Sequence, residues 1–347
     1  MKLLFITRAY PPFVGGMEKF ASDFHENYRK QGEIELLANT GGKKNIPLFV
    51  VRVIFFLMFR SRNYDVIHIY DAVLSPLAFI VKIFSKAKVS YTVNGLDIVY
   101  TSFGYQKFMP FFLKKADRIF AISEYTMEQC TLRGIPADKI TVIPVGINFD
   151  NFPAATQAQK SEIFSKFKIP TQGVKILLTV GRLVKRKGHA WFIANVLKKL
   201  PEDYIYVIAG AGPEQATIEN LVRESNLSNR VSLLGRVTDD EKNCLYQISD
   251  VFIMPNIVVQ NDQEGFGIVL LEAGRYGLPI IASDIEGIRD AVINQKTGRL
   301  IAEKDAQAFT DAILKPELDR STLADAVAAH FDWKYIIQTY RKAFEKM

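Results

Sequence analysis

Glu264 and Glu272 bracket the stretch Glu-Gly-Phe-Gly-Ile-Val-Leu-Leu-Glu. One carboxylate leads a Gly-Phe-Gly turn, an apolar run follows, and the second carboxylate closes it. Gly265 and Gly267 let the backbone approach a bound group, and a helix opened there points free N–H groups at an anion. Phe266, Ile268 and Val269 belong to the same turn and helix start. Glu272, further into the helix, is placed to accept hydrogen bonds from hydroxyls such as those of a ribose. Carboxylates so spaced around a glycine turn suit a nucleotide sugar better than a metal ion. The competing reading is a buried helix with a glycine-rich entry.

Three other loops carry chemistry. In Thr179–Gly188, Arg182 offers a planar fork and Lys187 a point charge, a pair suited to gripping a diphosphate. Both would offset charge developing on a nucleoside-diphosphate leaving group. The alternative is a solvated basic turn, since Lys185, Arg186 and Lys187 form a simple charge run. Gly15 and Gly16 stand where a first strand hands over to a first helix, and their amides suit a phosphate or an acceptor hydroxyl; the alternative is an ordinary tight turn. Ala209-Gly-Ala-Gly-Pro213 echoes the dinucleotide fingerprint, but the acidic residue that pattern needs is missing, so it reads as a structural turn. Arg236 follows a strand and is a candidate neighbour of a nucleotide base.

These loops need strand ends to hold them. Short apolar runs at Lys2–Thr7, 34–38, 66–69, 89–93, 118–122 and 140–144 alternate with helical patterns. A second series begins at 175–180, 204–209, 231–234, 251–254 and 279–282. Strand–helix alternation twice over predicts an α/β protein of two doubly wound, Rossmann-like domains facing each other across a cleft. The expected domains are 1–165 and 166–330, with an irregular stretch at 151–172 and an amphipathic helix at 333–347 crossing back to the first. Ligands of such sheets bind beyond the carboxyl ends of the strands.

Composition narrows the classes. The chain has 347 residues, enough for two cores, with 48% hydrophobic and 23% charged residues. Its two cysteines, Cys130 and Cys244, form neither a disulfide framework nor a zinc motif. The opening residues have too short an apolar run for a signal peptide, so a cytoplasmic place is expected. Net charge is +7, and residues 1–150 hold 19 Lys and Arg against 13 Asp and Glu. That asymmetry points to an anionic surface or substrate on the first half. Nothing resembles a nucleic-acid-binding motif, and no nucleic-acid partner is expected.

Taken together, these motifs resemble glycosyltransferase family 4. Gly15-Gly16, Gly181-Arg182 with Lys187-Gly188, residues 209–214, and Glu264 through Glu272 occur in that family's order and spacing. So do residues 121–124, 143–148 and 283–287, so the resemblance covers almost the whole chain. It implies a GT-B fold, a nucleoside-diphosphate sugar donor held mostly by the C-terminal domain, and transfer with retention of configuration. No cofactor or metal is implied, and no Asp-x-Asp occurs. Position by position, Arg182 and Lys187 would bind the diphosphate and Glu272 the ribose. Glu264 and the amides of Gly265–Gly267 would hold the sugar, and Gly16 would approach the phosphate. Asn94 stands where the family usually has a histidine facing the donor sugar, and an amide cannot titrate near neutral pH. His68, in its strand, is the one histidine read as a candidate to border the cleft, although such a residue is more often packed. The rival readings are a nucleotide-sugar epimerase of the same fold and a non-catalytic nucleotide-sugar-binding protein.

On the acceptor side, residues 46–62 are strongly apolar but interrupted by Arg52, too short to span a bilayer. Residues 105–115 mix aromatic and basic side chains. Either stretch could lie in a membrane interface or form the buried face of a helix, with burial favoured for the second. The expected acceptor is a glycan or a polyprenyl-linked sugar in polysaccharide, lipopolysaccharide or glycolipid synthesis. The expected surroundings include the anionic inner face of the cell membrane.

Overall fold

The computed structural model describes all residues except 103, 151–153 and 317. The first three residues of the expected irregular stretch therefore lie outside the described residues. Contacts divide the chain into two units. One comprises Met1–Asn148, Glu264–Phe266 and Phe331–Met347; the other comprises Phe149–Gln263 and Gly267–His330.

The first unit is built on a six-stranded parallel sheet in the order β2-β1-β3-β4-β5-β6. Its strands are β1 (Lys2–Thr7), β2 (Glu33–Ala38), β3 (Val66–Tyr70), β4 (Lys88–Val93), β5 (Arg118–Ala121) and β6 (Ile140–Val142). Every residue of Val66-Ile-His-Ile-Tyr70 is buried, the pattern of a parallel strand covered on both faces. The connecting helices are α1 (Gly16–Arg29), α2 (Ile46–Arg60), α3 (Leu77–Phe84), α4 (Leu96–Val99), α5 (Tyr105–Leu113) and α6 (Glu124–Leu132). From β1 the chain steps one way to β2 and thereafter the other way. Right-handed crossovers then put α1 on one face and the later helices on the opposite face.

On that opposite face Phe49, Val53 and Leu57 of α2 pack with Leu77 and Val81 of α3, Met109 and Leu113 of α5, and Cys130 of α6. The α1 face is aromatic. Phe24 meets Tyr340 edge-on at 5.1 Å, and His68 meets Phe344 at 5.4 Å. His68 is fully buried and stacked on Phe5, with Nδ1 2.9 Å from Ser90 Oγ and Nε2 3.1 Å from Thr92 Oγ1. It is a packed core residue, and burial lowers its pKa to about 3.

The second unit repeats the plan with strand order β12-β11-β10-β7-β8-β9, again parallel. Here the strands are β7 (Lys175–Val180), β8 (Tyr204–Ala209), β9 (Val231–Gly235), β10 (Val251–Met254), β11 (Ile280–Ser283) and β12 (Arg299–Ile301). The helices are α7 (Gln157–Lys166), α8 (His189–Asn195), α9 (Gln215–Glu224), α10 (Asp239–Ile248), α11 (Ile268–Arg275), α12 (Ile288–Ala291), α13 (Ala306–Leu314) and α14 (Arg320–Phe331). Contacts group residues 149–165 with this unit, where α7 packs on α10.

The last helix, α15 (Trp333–Glu345), belongs to the first unit and packs on α1. Trp333, Ile336, Ile337, Tyr340 and Phe344 form its buried stripe, at the spacing of one helical face. No helix among the described residues is long and apolar enough to cross a membrane.

Candidate functional site

In the second unit the carboxyl ends of β7 and β8 carry the basic and glycine-rich loops, and backbone bonds stitch these together. Gly181 N donates to Ala209 O at 3.0 Å, Gly210 N to Gly235 O at 2.7 Å, and Glu214 N to Leu183 O at 3.0 Å. The 209–213 segment is thus the structural turn its sequence indicates. Lys187 is buried, and its Cε and Nζ lie 3.6 and 3.8 Å from where a Cβ on Gly181 would stand. Its ammonium is therefore held against the strand-end backbone. Arg186 is buried too, with Nε 2.9 Å from Asp262 Oδ1. The solvated-turn alternative describes only Arg182 and Lys185, which are exposed. Arg236 is also exposed, one residue beyond β9.

Helix α11 starts at Ile268, with Gly267 before it at φ 93°, a backbone conformation that side-chain-bearing residues rarely adopt. Gly267 has no side chain with which to cap that end, where the first-turn amides of Ile268 and Val269 lack partners within the helix. One turn on, Glu272 is buried and held from α10. Tyr246 OH donates to its Oε2 at 3.0 Å, and Lys242 Nζ lies 3.3 Å from its Oε1. Lys242 also reaches Asp239 at 2.9 Å. The carboxylate is thus ionically balanced and fixed in direction. Sequence reasoning missed Lys242 and Tyr246. Their spacing of four on a helix puts them on one face, but nothing in the sequence ties that face to Glu272.

The first unit holds the other candidates. Asn94 follows β4 and is half-buried. Its backbone N donates to Asp97 Oδ1 at 2.7 Å, its Nδ2 lies 3.4 Å from Asp97 Oδ2, and its Oδ1 accepts from Tyr70 OH at 2.7 Å. Glu264, Gly265 and Phe266 group with this unit. A Cβ on Gly265 would lie 2.1 Å from Asn94 O, so only glycine lets the two backbones touch here. Phe266 is buried and meets Phe331 edge-on at 6.1 Å. The nine-residue block read as a turn running into one helix is thus divided. Glu264–Phe266 stand beside the Asn94 loop, whereas Gly267 onward belongs to the second unit.

Beside Asn94 lies a buried charge cluster that the sequence did not announce. Asp71, directly after β3, is fully buried at φ 112° and pairs with Arg8. Its Oδ1 accepts from Val73 N at 2.7 Å, and Asp97 Oδ2 accepts from Ala72 N at 3.0 Å. Burial, and then the neighbouring Asp97, raise the Asp71 pKa to about 7; burial raises that of Asp97 as well. Two carboxyl groups sharing one dry site resist ionising together. A non-glycine residue at such a φ marks backbone held in place by its surroundings. Gly15 precedes α1 in extended conformation, with the α1 backbone starting at Gly16. The Glu18 carboxylate lies over this turn, 2.4 Å from where a Gly15 Cβ would stand.

Comparison with known proteins gives the family of both units. Residues 159–330 match the family model described as glycosyl transferases group 1, and residues 14–151 match that of glycosyltransferase family 4. A GDP-mannose-dependent alpha-(1-6)-phosphatidylinositol monomannoside mannosyltransferase of Mycobacterium tuberculosis is 28% identical over 221 residues, 62% of this chain and 57% of that protein. The amylovoran biosynthesis glycosyltransferase AmsK of Erwinia amylovora is 25% identical over 228 residues, 65% of this chain and 53% of that one. The chain thus spans about half the length of the curated relatives it matches. Among solved structures, Anabaena HepE in complex with UDP superposes with a TM-score of 0.79 at 18% identity, covering 100% of both chains.

Proposed function

Because the chain belongs to glycosyltransferase family 4 and has the two Rossmann-like units of the GT-B fold, we propose that it is a retaining, metal-independent glycosyltransferase. It moves a sugar from a nucleoside-diphosphate donor to a hydroxyl of a glycan or lipid-linked acceptor. The observation that carries this reading lies within the second unit. A buried lysine, a glycine-opened helix and a buried, oriented carboxylate are all supplied by loops or helices that follow its strands. Lys187, Arg182 and the α11 amides take the diphosphate, and Glu272 takes the ribose hydroxyls. Arg236 lies by the base. Glu264, the Gly265–Gly267 amides and Asn94 hold the sugar, and the Gly15–Gly16 turn meets the acceptor.

Chemistry follows from charge. As the bond to the sugar breaks, negative charge grows on the leaving diphosphate, and fixed cations and amides stabilise it most at that moment. The acceptor hydroxyl enters on the face the diphosphate leaves, and a leaving phosphate oxygen takes its proton. No protein nucleophile is needed. Lys187 and Arg182 supply the cationic stabilisation that a divalent ion supplies elsewhere.

The phosphatidylinositol monomannoside mannosyltransferase and the amylovoran biosynthesis glycosyltransferase among its relatives support a place in glycolipid or surface-polysaccharide synthesis. The basic first half supports work at the cytoplasmic, anionic membrane surface. A screen of UDP-, GDP- and dTDP-sugars for nucleotide release, with and without polyprenyl-diphosphate sugars, tests the reading. Acceptor-dependent release that persists in chelator, with the donor's anomeric configuration in the product, is the expected result. Conversion of the donor to its epimer without transfer would replace the reading with an epimerase. Tight donor binding with no turnover in any combination would leave a binding protein.

A further inference from the structure

We propose that α2, α3 and α5 of the first unit form one platform that lies against an anionic phospholipid bilayer. The inference rests on the membrane-surface reading above and assigns it a surface. These helices share one face of the sheet, with α3 touching both α2 and α5. Each buries one stripe and leaves another apolar stripe outside.

On α2, Phe49, Val53 and Leu57 point inward, while Leu48, Val51, Phe55, Met58 and Phe59 are exposed, Phe59 by 79%. On α3, Leu77, Ala78 and Val81 are inside, and Phe79 and Ile83 are outside. On α5, Met109 and Leu113 are inside, and Phe108 and Phe111 are 58% and 55% exposed. A helix apolar on both sides, in an outer layer, has an apolar medium beyond it. Burial for residues 105–115 is therefore true of only one side of that helix.

Charge selects the medium. Residues 43–115 hold eleven Lys and Arg against three Asp and no Glu. Two of those three, Asp71 and Asp97, are buried in the cluster beside Asn94. None of α2, α3 or α5 carries an acidic residue, while Arg52, Arg60 and Lys107 stand on them, with Lys82 paired to Asp117. Lys115, just past α5, lies 5.3 Å from the Phe111 ring, pairing a cation with an anchor as at a headgroup boundary. A second copy of this face would meet it with like charge. An anionic bilayer attracts the cations and accepts the rings together.

The two native cysteines are buried, so a label goes to an introduced one. Phe59→Cys, Phe79→Cys and Phe111→Cys, each carrying an environment-sensitive fluorophore, are mixed with phosphatidylcholine vesicles containing phosphatidylglycerol. A blue shift and quenching by brominated lipid at all three positions is expected, with neither at Leu314→Cys in the second unit. In co-sedimentation, Phe59→Ser, Phe79→Ser and Phe111→Ser should each weaken vesicle binding by about five- to tenfold while keeping the wild-type melt. A response at Phe59 alone overturns the three-helix platform and leaves membrane association standing. No association of folded wild type with these vesicles overturns both, and a stable dimer that hides all three labels overturns the lipid assignment.

Discussion

The phenol of Tyr70 donates to Asn94 Oδ1 at 2.7 Å, which decides the direction of the Asn94 amide. Asp97 already accepts from the backbone N–H groups of Ala72 and Asn94, so it takes the Nδ2 side of that amide. One N–H of Asn94 is left to meet a bound group. Tyr70→Phe should raise the donor KM by about five- to tenfold, the worth of one such hydrogen bond. The same change made in Asn94→Ala should do nothing more, since the partner is gone. Additive effects in this double-mutant cycle would rule out the orienting role. Asn94→Ala itself should lower activity, and any shift of the pH profile should be upward, through loss of the Nδ2 contact that lowers the Asp97 pKa rather than through titration of the amide.

Arg182 and Lys187 differ in burial but share one proposed task. Arg182→Ala and Lys187→Ala should each lower turnover by roughly 10²–10³-fold, the scale for removing one donor to developing charge. Stopped assays of nucleotide release by folded variants check this. Near-normal turnover in both would place the diphosphate elsewhere.

Glu272 makes a matched pair of experiments with Tyr246. Glu272→Ala takes from half-buried Lys242 one of its two carboxylates, leaving Asp239, and leaves Tyr246 OH without its acceptor, a loss of about 1–3 kcal/mol in stability. Tyr246→Phe removes only one hydrogen bond, about 1 kcal/mol, yet loosens the carboxylate. Nucleotide affinity by calorimetry should fall in both and more in Glu272→Ala. Unchanged affinity in Glu272→Ala would remove Glu272 from the ribose.

His68 sets an acid limit on the first unit. Burial lowers its folded pKa to about 3 from 6.5, so the folded state favours the neutral ring. Its contribution is complete above pH 6.5 and is lost as pH falls from there toward 3, by about 1.4 kcal/mol per pH unit at most. His189, lowered to about 3 by burial and then by Lys187, adds the same sign in the second unit. Asp71, whose raised pKa contributes the opposite sign over the same range, is common to wild type and His68→Asn, so denaturant melts of the two between pH 7 and 4 should differ by the His68 slope. An unchanged slope would assign the acid sensitivity to other groups.

Strand positions were readable because parallel strands buried on both faces read as short apolar runs. Lys2–Thr7, Lys175–Val180, Tyr204–Ala209 and Val251–Met254 have the bounds their sequences indicate. β12 was missed, since three residues at a sheet edge with two half-buried leave no such run. Helix α8 stops at Asn195, and a 3-10 turn follows at Leu197–Lys199. Loop residues with distinctive types, such as Lys187 and Glu272, were visible. Lys242 and Tyr246, which fix Glu272 from α10, and Tyr70, which fixes Asn94 from β3, were not, because the local patterns of α10 and β3 are ordinary. Asp71 and Arg8 pair across 63 positions, a relation made by the β1–β3 neighbourhood alone.

The docking of α15 on α1 bears on the order in which a ribosome could complete this protein. Phe20, Phe24 and Tyr28 wait for a helix that emerges only after the whole second unit has been translated. Until Trp333 and Tyr340 arrive, a nascent chain has one sheet face finished by α2, α3, α5 and α6 and the other clad only by α1. Any chain stopped before Trp333 would carry that aromatic face bare, with a complete second sheet attached, and so would be prone to self-association through the uncovered rings.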